Sequence, residues 1–181
     1  MRKKGLGNKI NLEWLFLVVD YYLTTTGKEF ISEVILPMIV SFIVTVIYCI
    51  HNLVFYALEG LSNVLPTVMS FLIGFTVMLI TLLMTINGDS INVLKNTESN
   101  KRLRNKEITL YQCLLIQFSH VLFSEVVLML LVFLYMFWNG LRMPVYVAVV
   151  VLAVQIYQVL NILFSIIRGV SNLYFSFFNE Q

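Results

Sequence analysis

The chain has 181 residues, of which 59% are hydrophobic and only 12% charged, and its mean hydropathy is +0.87. Water-soluble domains run nearer half apolar and a quarter charged, so a soluble globule of this composition would lack the charges to cover its surface. The net charge of +2 excludes nothing as a total and becomes informative only when the charges are placed along the chain.

At the N-terminus, Arg2-Lys3-Lys4 and the apolar stretch Leu15 to Val19 have the outline of a signal peptide. Asp20 interrupts that stretch and no small-x-small cleavage site follows, so the segment is expected to be retained. Leu12, Leu15, Phe16, Val19, Tyr22 and Leu23 recur at helical spacing, with Glu13 and Asp20 on another face. Within a cytoplasmic N-terminal segment, 1–25, this predicts a short amphipathic helix lying at the membrane interface or docked on the rest of the protein. Thr26 and Glu29 have capping-box spacing and predict a new helix start. Glu29 and Glu33 then form a cytoplasmic prefix, and Pro37 is expected to kink the helix.

A helix crossing a bilayer needs roughly 20 largely apolar residues. Within 26–181, four stretches qualify: about 37–58, 64–86, 110–137 and 144–167. Glu59 to Asn63 reads as the turn after the first span, with Asn63 capping the second and Pro66 in its first turn. Trp138 to Met143 joins the third to the fourth. Short links predict antiparallel hairpins pairing the first span with the second and the third with the fourth. The expected fold is all-α: an integral membrane four-helix bundle of two helical hairpins, with an N-terminal amphipathic interfacial helix. Cys49 and Cys113 sit inside apolar runs and read as small buried hydrophobes.

The long polar connection, 87–109, is predicted to be a cytoplasmic loop. An even number of spans places eleven of the twelve basic residues on one side, leaving Arg142 alone on the other. The positive-inside rule then puts both termini and this loop in the cytoplasm.

Glu125 stands near the middle of the third span, where an ionisable group costs at least ~2.5–3.5 kcal/mol to place at the bilayer centre. Cys113, Gln117, His120 and Ser124 follow three- and four-residue steps and share a stripe, with Glu125 at its edge. The fourth span carries a second stripe: Gln155, Gln158, Asn161, Ser165, Arg168 and Asn172. The second span adds Thr67, Ser70, Gly74, Thr81 and Thr85. Such stripes either pack helices together or line a hydrated path in an oligomer. On the second alternative the path is formed by Gln117, His120, Ser124, Glu125, Gln155, Gln158 and Asn161. The run Lys101, Arg102, Arg104 and Lys106 either binds an anionic ligand or partner, or only sets topology. No metal site is expected, because His51 and His120 fall on different helices, and no cofactor or enzyme motif is present.

With its polar third helix and its Lys101–Lys106 run, this four-span pattern resembles the small membrane components of bacterial antiphage defence. Those include the membrane subunit of Kiwa systems, the channel effector of Hailong systems and the membrane accessory proteins of some CRISPR systems. The resemblance implies a homo-oligomeric effector of the bacterial inner membrane, a gated channel or pore held closed until a cytoplasmic nucleotide signal or partner protein acts. The alternative is a non-conducting scaffold or sensor that recruits a cytoplasmic partner through the basic loop.

Overall fold

In the computed structural model, which describes residues 13–85, 89–103, 106–139 and 143–178, four helices are long and apolar enough to cross a membrane. In chain order the elements are α1 (Glu13–Thr24), α2 (Gly27–Ile50), α3 (Val54–Thr85), α4 (Asp89–Asn96), β1 (Glu98–Leu103), β2 (Lys106–Thr109), α5 (Leu110–Asn139) and α6 (Val145–Phe178). Helices α2, α3, α5 and α6 are the long ones. At one end, the near end, α1, α4 and the strands pack against them. The far end carries the 51–53 link and the start of α6.

Helix α2 begins where the capping-box spacing places it, and the Glu29 carboxylate accepts the Thr26 N–H at 2.7 Å. Over Ile31–Ile35 the helix widens into a π turn, and Pro37 follows in the first turn after it. Proline offers no N–H, so the Glu33 carbonyl four residues earlier loses its helical donor. Asn161 of α6 supplies one instead, its Nδ2 donating to the Glu33 oxygen at 2.6 Å. The disruption expected at Pro37 is thus a π turn plus a donor borrowed from a neighbouring helix.

The first long helix stops at Ile50, not at Leu58. Asn52 adopts φ 56°, in the left-handed region. The Leu53 N–H donates to Tyr48 O at 2.9 Å and the Asn52 N–H to Cys49 O at 3.1 Å, the paired bonds of a Schellman cap. Asparagine tolerates this conformation best after glycine, because its short side chain clashes least. The turn expected at Glu59–Asn63 is therefore helical, and Pro66 lies inside α3 rather than at its start.

The expected pairing of the first long helix with the second is corrected, while that of the third with the fourth holds. Helix α2 packs along α6 and makes little contact with α3, while α3 lies against α5 and α5 against α6. Hydrogen bonds fasten the first and last long helices: besides Asn161 to Glu33, Ser41 Oγ donates to Ala153 O at 2.5 Å. Small side chains there let the two backbones approach closely enough for such bonds. The order α2–α6–α5–α3 leaves one side of the bundle open between α2 and α3.

Apolar packing fills the interior in three groups. Leu58, Tyr135 and Leu152 meet near the far end; Leu65, Met69, Leu128 and Ile162 form the middle; Leu83, Leu114 and Phe118 close the near end with Leu94 of α4. The all-α expectation fails at 98–109, where β1 and β2 pair antiparallel in the register Ser99↔Ile108 and Arg102↔Glu107. What reads as a charged loop is a short helix and a hairpin. The same hairpin ends in a reciprocal cap, Thr109 N–H to Gln112 Oε1 at 3.1 Å and Gln112 N–H to Thr109 Oγ1 at 3.3 Å, which starts α5. Helix α6 runs to Phe178, well past the span end expected at Ile167.

Helix α1 docks through the side opposite to its expected apolar face. Tyr21 and Thr24 are buried against the bundle, whereas Phe16, Val19, Tyr22 and Leu23 are exposed. Leu12 lies outside the described residues.

Candidate functional site

At the near end the described elements converge on Glu33, which is 1% exposed. It is the buried residue of the π turn in α2. Arg168 of α6 sits between two carboxylates, its Nε 2.7 Å from Glu33 Oε1 and its Nη1 3.2 Å from Glu29 Oε2. Lys101 of β1 reaches both oxygens of Glu29 at 2.8 Å. Two acids and two bases therefore balance, which offsets the desolvation that makes an unpaired buried ion so costly.

Tyr21 of α1 completes the cluster. Its hydroxyl donates to Glu33 Oε2 and lies 3.2 Å from Ser165 Oγ. Its ring stacks on His120 of α5, with centroids 3.7 Å apart and planes within 6°, and the Arg168 guanidinium lies 5.6 Å from the ring centroid. Burial first, and then the Glu33 carboxylate, hold the Tyr21 phenol well above its usual pKa range, so it stays a donor. Gln117 Nε2 donates to Ser165 O at 2.7 Å and ties α5 to α6 beside the cluster. This close approach requires Gly169: a Cβ there would stand 2.8 Å from Phe118 Cε1.

Further along the bundle, at several levels, buried polar groups lie without such balance. Glu125 is fully buried and accepts one bond, from Thr76 Oγ1 of α3 at 3.0 Å. Its other oxygen has no protein partner among the described residues. Gln155 is fully buried with neither amide atom bonded, and Thr45 Oγ1, Ser62 Oγ and Gln158 Oε1 are unpartnered as well. Buried polar atoms are bonded in the large majority of cases, so each of these requires a reason.

Of the residues singled out from the sequence, Gln117, His120 and Asn161 belong to the near-end cluster. Glu125, Gln155 and Gln158 are among the buried groups with unbonded atoms, and Ser124 is half-buried next to Glu125 in the chain. The stripes of α5 and α6 thus face the interior of a single chain. The stripe of α3 does not: Thr67, Ser70, Gly74, Thr81 and Thr85 are exposed. Ser70, Thr81 and Thr85 donate to carbonyls of their own helix at 2.7, 2.8 and 2.7 Å.

The basic run is not one patch. Lys101 points inward to Glu29, Arg102 pairs across the strands with Glu107 at 2.9 Å on the surface, and Lys106 is exposed. Arg104 lies outside the described residues. Among the described residues no three His, Cys, Asp or Glu side chains converge as a metal site would require. Sequence reasoning missed Tyr21, Glu29 and Glu33 as members of the site. The spacing of Glu29 and Glu33 four residues apart on one helix face, just ahead of Pro37, was the available signal. No known protein family, curated protein or solved structure matches the chain.

Proposed function

We propose that this chain is an integral membrane protein of four spans that acts as a gated, ion-conducting effector. Its interior polar groups line the path of the opened state. The observation that carries this reading is the fully buried and unbonded Gln155, with one buried, unbonded atom each on Glu125, Ser62 and Gln158. Within a bilayer, leaving such groups unsatisfied costs several kcal/mol, and a passive anchor gains nothing from them. Water or a passing ion satisfies them all once the helices part.

The near-end cluster serves as the closure. Arg168 and Lys101 hold the hairpin, α2 and α6 together, with Tyr21 bringing α1 into the same contact. A signal acting on the hairpin or α1 is then felt directly by two spanning helices. The charge bias supports a cytoplasmic position for this end, and the architectural resemblance supports a bacterial inner membrane. Helices packed this closely leave no wide pore in one chain, so copies associate, and the exposed hydroxyl-bearing stripe of α3 is the face suited to meeting a second copy. The setting in antiphage defence, and control by a nucleotide signal or partner protein, follow from the architectural resemblance. Exposed Arg102 and Lys106 favour the alternative of a scaffold, although Lys101 is already bound by Glu29.

Membrane potential in cells expressing the chain tests this directly. Arg168→Gln, which loosens the closure, should depolarise the membrane, and adding Gln155→Leu or Glu125→Ala should cut that effect about tenfold. Depolarisation unchanged by either addition removes these residues from the path. A potential left intact by Arg168→Gln favours the scaffold.

A further inference from the structure

The helix order leaves an opening with a chemistry of its own. Between α2 and α3, toward the far end, lies a groove of about 690 Å³, within the ~300–1,000 Å³ typical of small-molecule sites. Leu152 and Ile156 of α6 form its apolar floor, and Tyr48 of α2 stands on one wall. The other wall is a single face of α3, where Tyr56, Glu59, Gly60 and Asn63 recur at three- and four-residue steps. Gly60 keeps this wall low, since a Cβ there would meet nothing within 4 Å.

Glu59 decides what fits. It is exposed, and makes no ion pair among the described residues. It lies one turn inward of Tyr56, which with Trp138 and Tyr146 forms an exposed aromatic set at the far end. Such aromatics mark the level where headgroups meet hydrocarbon. A carboxylate at that level, on the outward side of a span, calls for a cation brought by something in the bilayer. Among the described residues no basic side chain lines the groove.

We infer that this groove binds one zwitterionic phospholipid with an ammonium headgroup, such as phosphatidylethanolamine. Glu59 receives the ammonium, the Tyr56 hydroxyl and Asn63 amide donate to phosphate or ester oxygens, and an acyl chain lies on Leu152 and Ile156. Charge complementarity selects this occupant. An anionic lipid is repelled by Glu59, whereas an ammonium headgroup neutralises it. The inference rests on membrane insertion and is independent of conduction.

Native mass spectrometry of the detergent-solubilised chain, with phosphatidylethanolamine and phosphatidylglycerol of matched acyl chains, provides the test. One phosphatidylethanolamine should be retained per chain under activation that strips phosphatidylglycerol, with a preference of about fivefold, the order an exposed charge pair supports. Glu59→Gln should abolish the preference, Glu59→Lys should reverse it, and Gly60→Leu should lower retention of both lipids by filling the groove. Equal retention of the two lipids by the unaltered chain, or a preference untouched by Glu59→Gln, overturns the proposal. So does a Gly60→Leu variant that loses self-association in lipid-free detergent, since the groove would then hold a second copy.

Discussion

Arg168 is held by its surroundings more firmly than any other cation the structure describes. It meets Glu33 and Glu29 together and lies against Tyr21, and its side chain is only 15% exposed. Removing one member of a buried pair costs about 3–5 kcal/mol, because the partner stays behind as an uncompensated charge. Arg168→Ala should therefore lower the thermal midpoint in detergent by roughly 10 °C, taking ~2–4 °C per kcal/mol for a chain of this size. Replacing both partners, Glu33→Leu with Arg168→Met, should recover most of that loss, since well-packed apolar groups can substitute for a buried ion pair. A double variant as unstable as Arg168→Ala alone would mean that Glu29 and Lys101, rather than Glu33, depend on the arginine. Tyr21 adds to the stakes at this residue, because its hydroxyl also relies on Glu33 as acceptor.

At the level of elements, the break between α2 and α3 sets the arrangement of the whole bundle. It rests on one left-handed residue, Asn52, and the two hydrogen bonds of its cap. Asn52→Ala should destabilise the chain by about 1–2 kcal/mol, the cost of left-handed backbone in a residue with a Cβ and no compensating polar group. Asn52→Gly should be neutral or slightly stabilising, and thermal unfolding in detergent would measure both. The sequence made the apolar stretches and the capping box at Thr26 legible, because periodicity and cap spacing are local properties. It pointed to the wrong break, since Glu59-Gly60 and Pro66 are stronger punctuation than a lone asparagine, yet all three are accommodated inside α3. The strands were hidden for a related reason: charges interrupt any alternation, with Arg102 and Lys106 on the surface and Lys101 turned in to Glu29, and among the described residues only Ser99 and Ile108 are fully buried. The α6 stripe correctly announced an inward face, but periodicity gives the face and not the neighbour. That Asn161 would serve the carbonyl freed by Pro37, and Arg168 the carboxylate of Glu33, depends on α2 packing against α6, which no local signal encodes.

For the whole molecule, the deciding asymmetry is the distribution of charge between the two ends. Glu29, Lys28, Lys95, Lys101, Arg102, Lys106 and Arg168 all belong to the near end, and the four long helices lead from it to the links at the far end. Translocating a cluster of basic residues across a bilayer opposes the positive-inside bias, so the near end should remain cytoplasmic. Single cysteines in a Cys49→Ala, Cys113→Ala background can read this out. His51→Cys places a thiol on the exposed far-end link, and Asn96→Cys places one on the exposed end of α4. In intact cells a membrane-impermeant maleimide should label the first, and should label the second only after permeabilisation. The reverse pattern would invert the orientation and put the Arg168–Glu33 pair out of reach of any cytoplasmic signal. Labelling of both thiols in intact cells would mean that the helices between them do not separate two compartments, and four spans would no longer describe the chain.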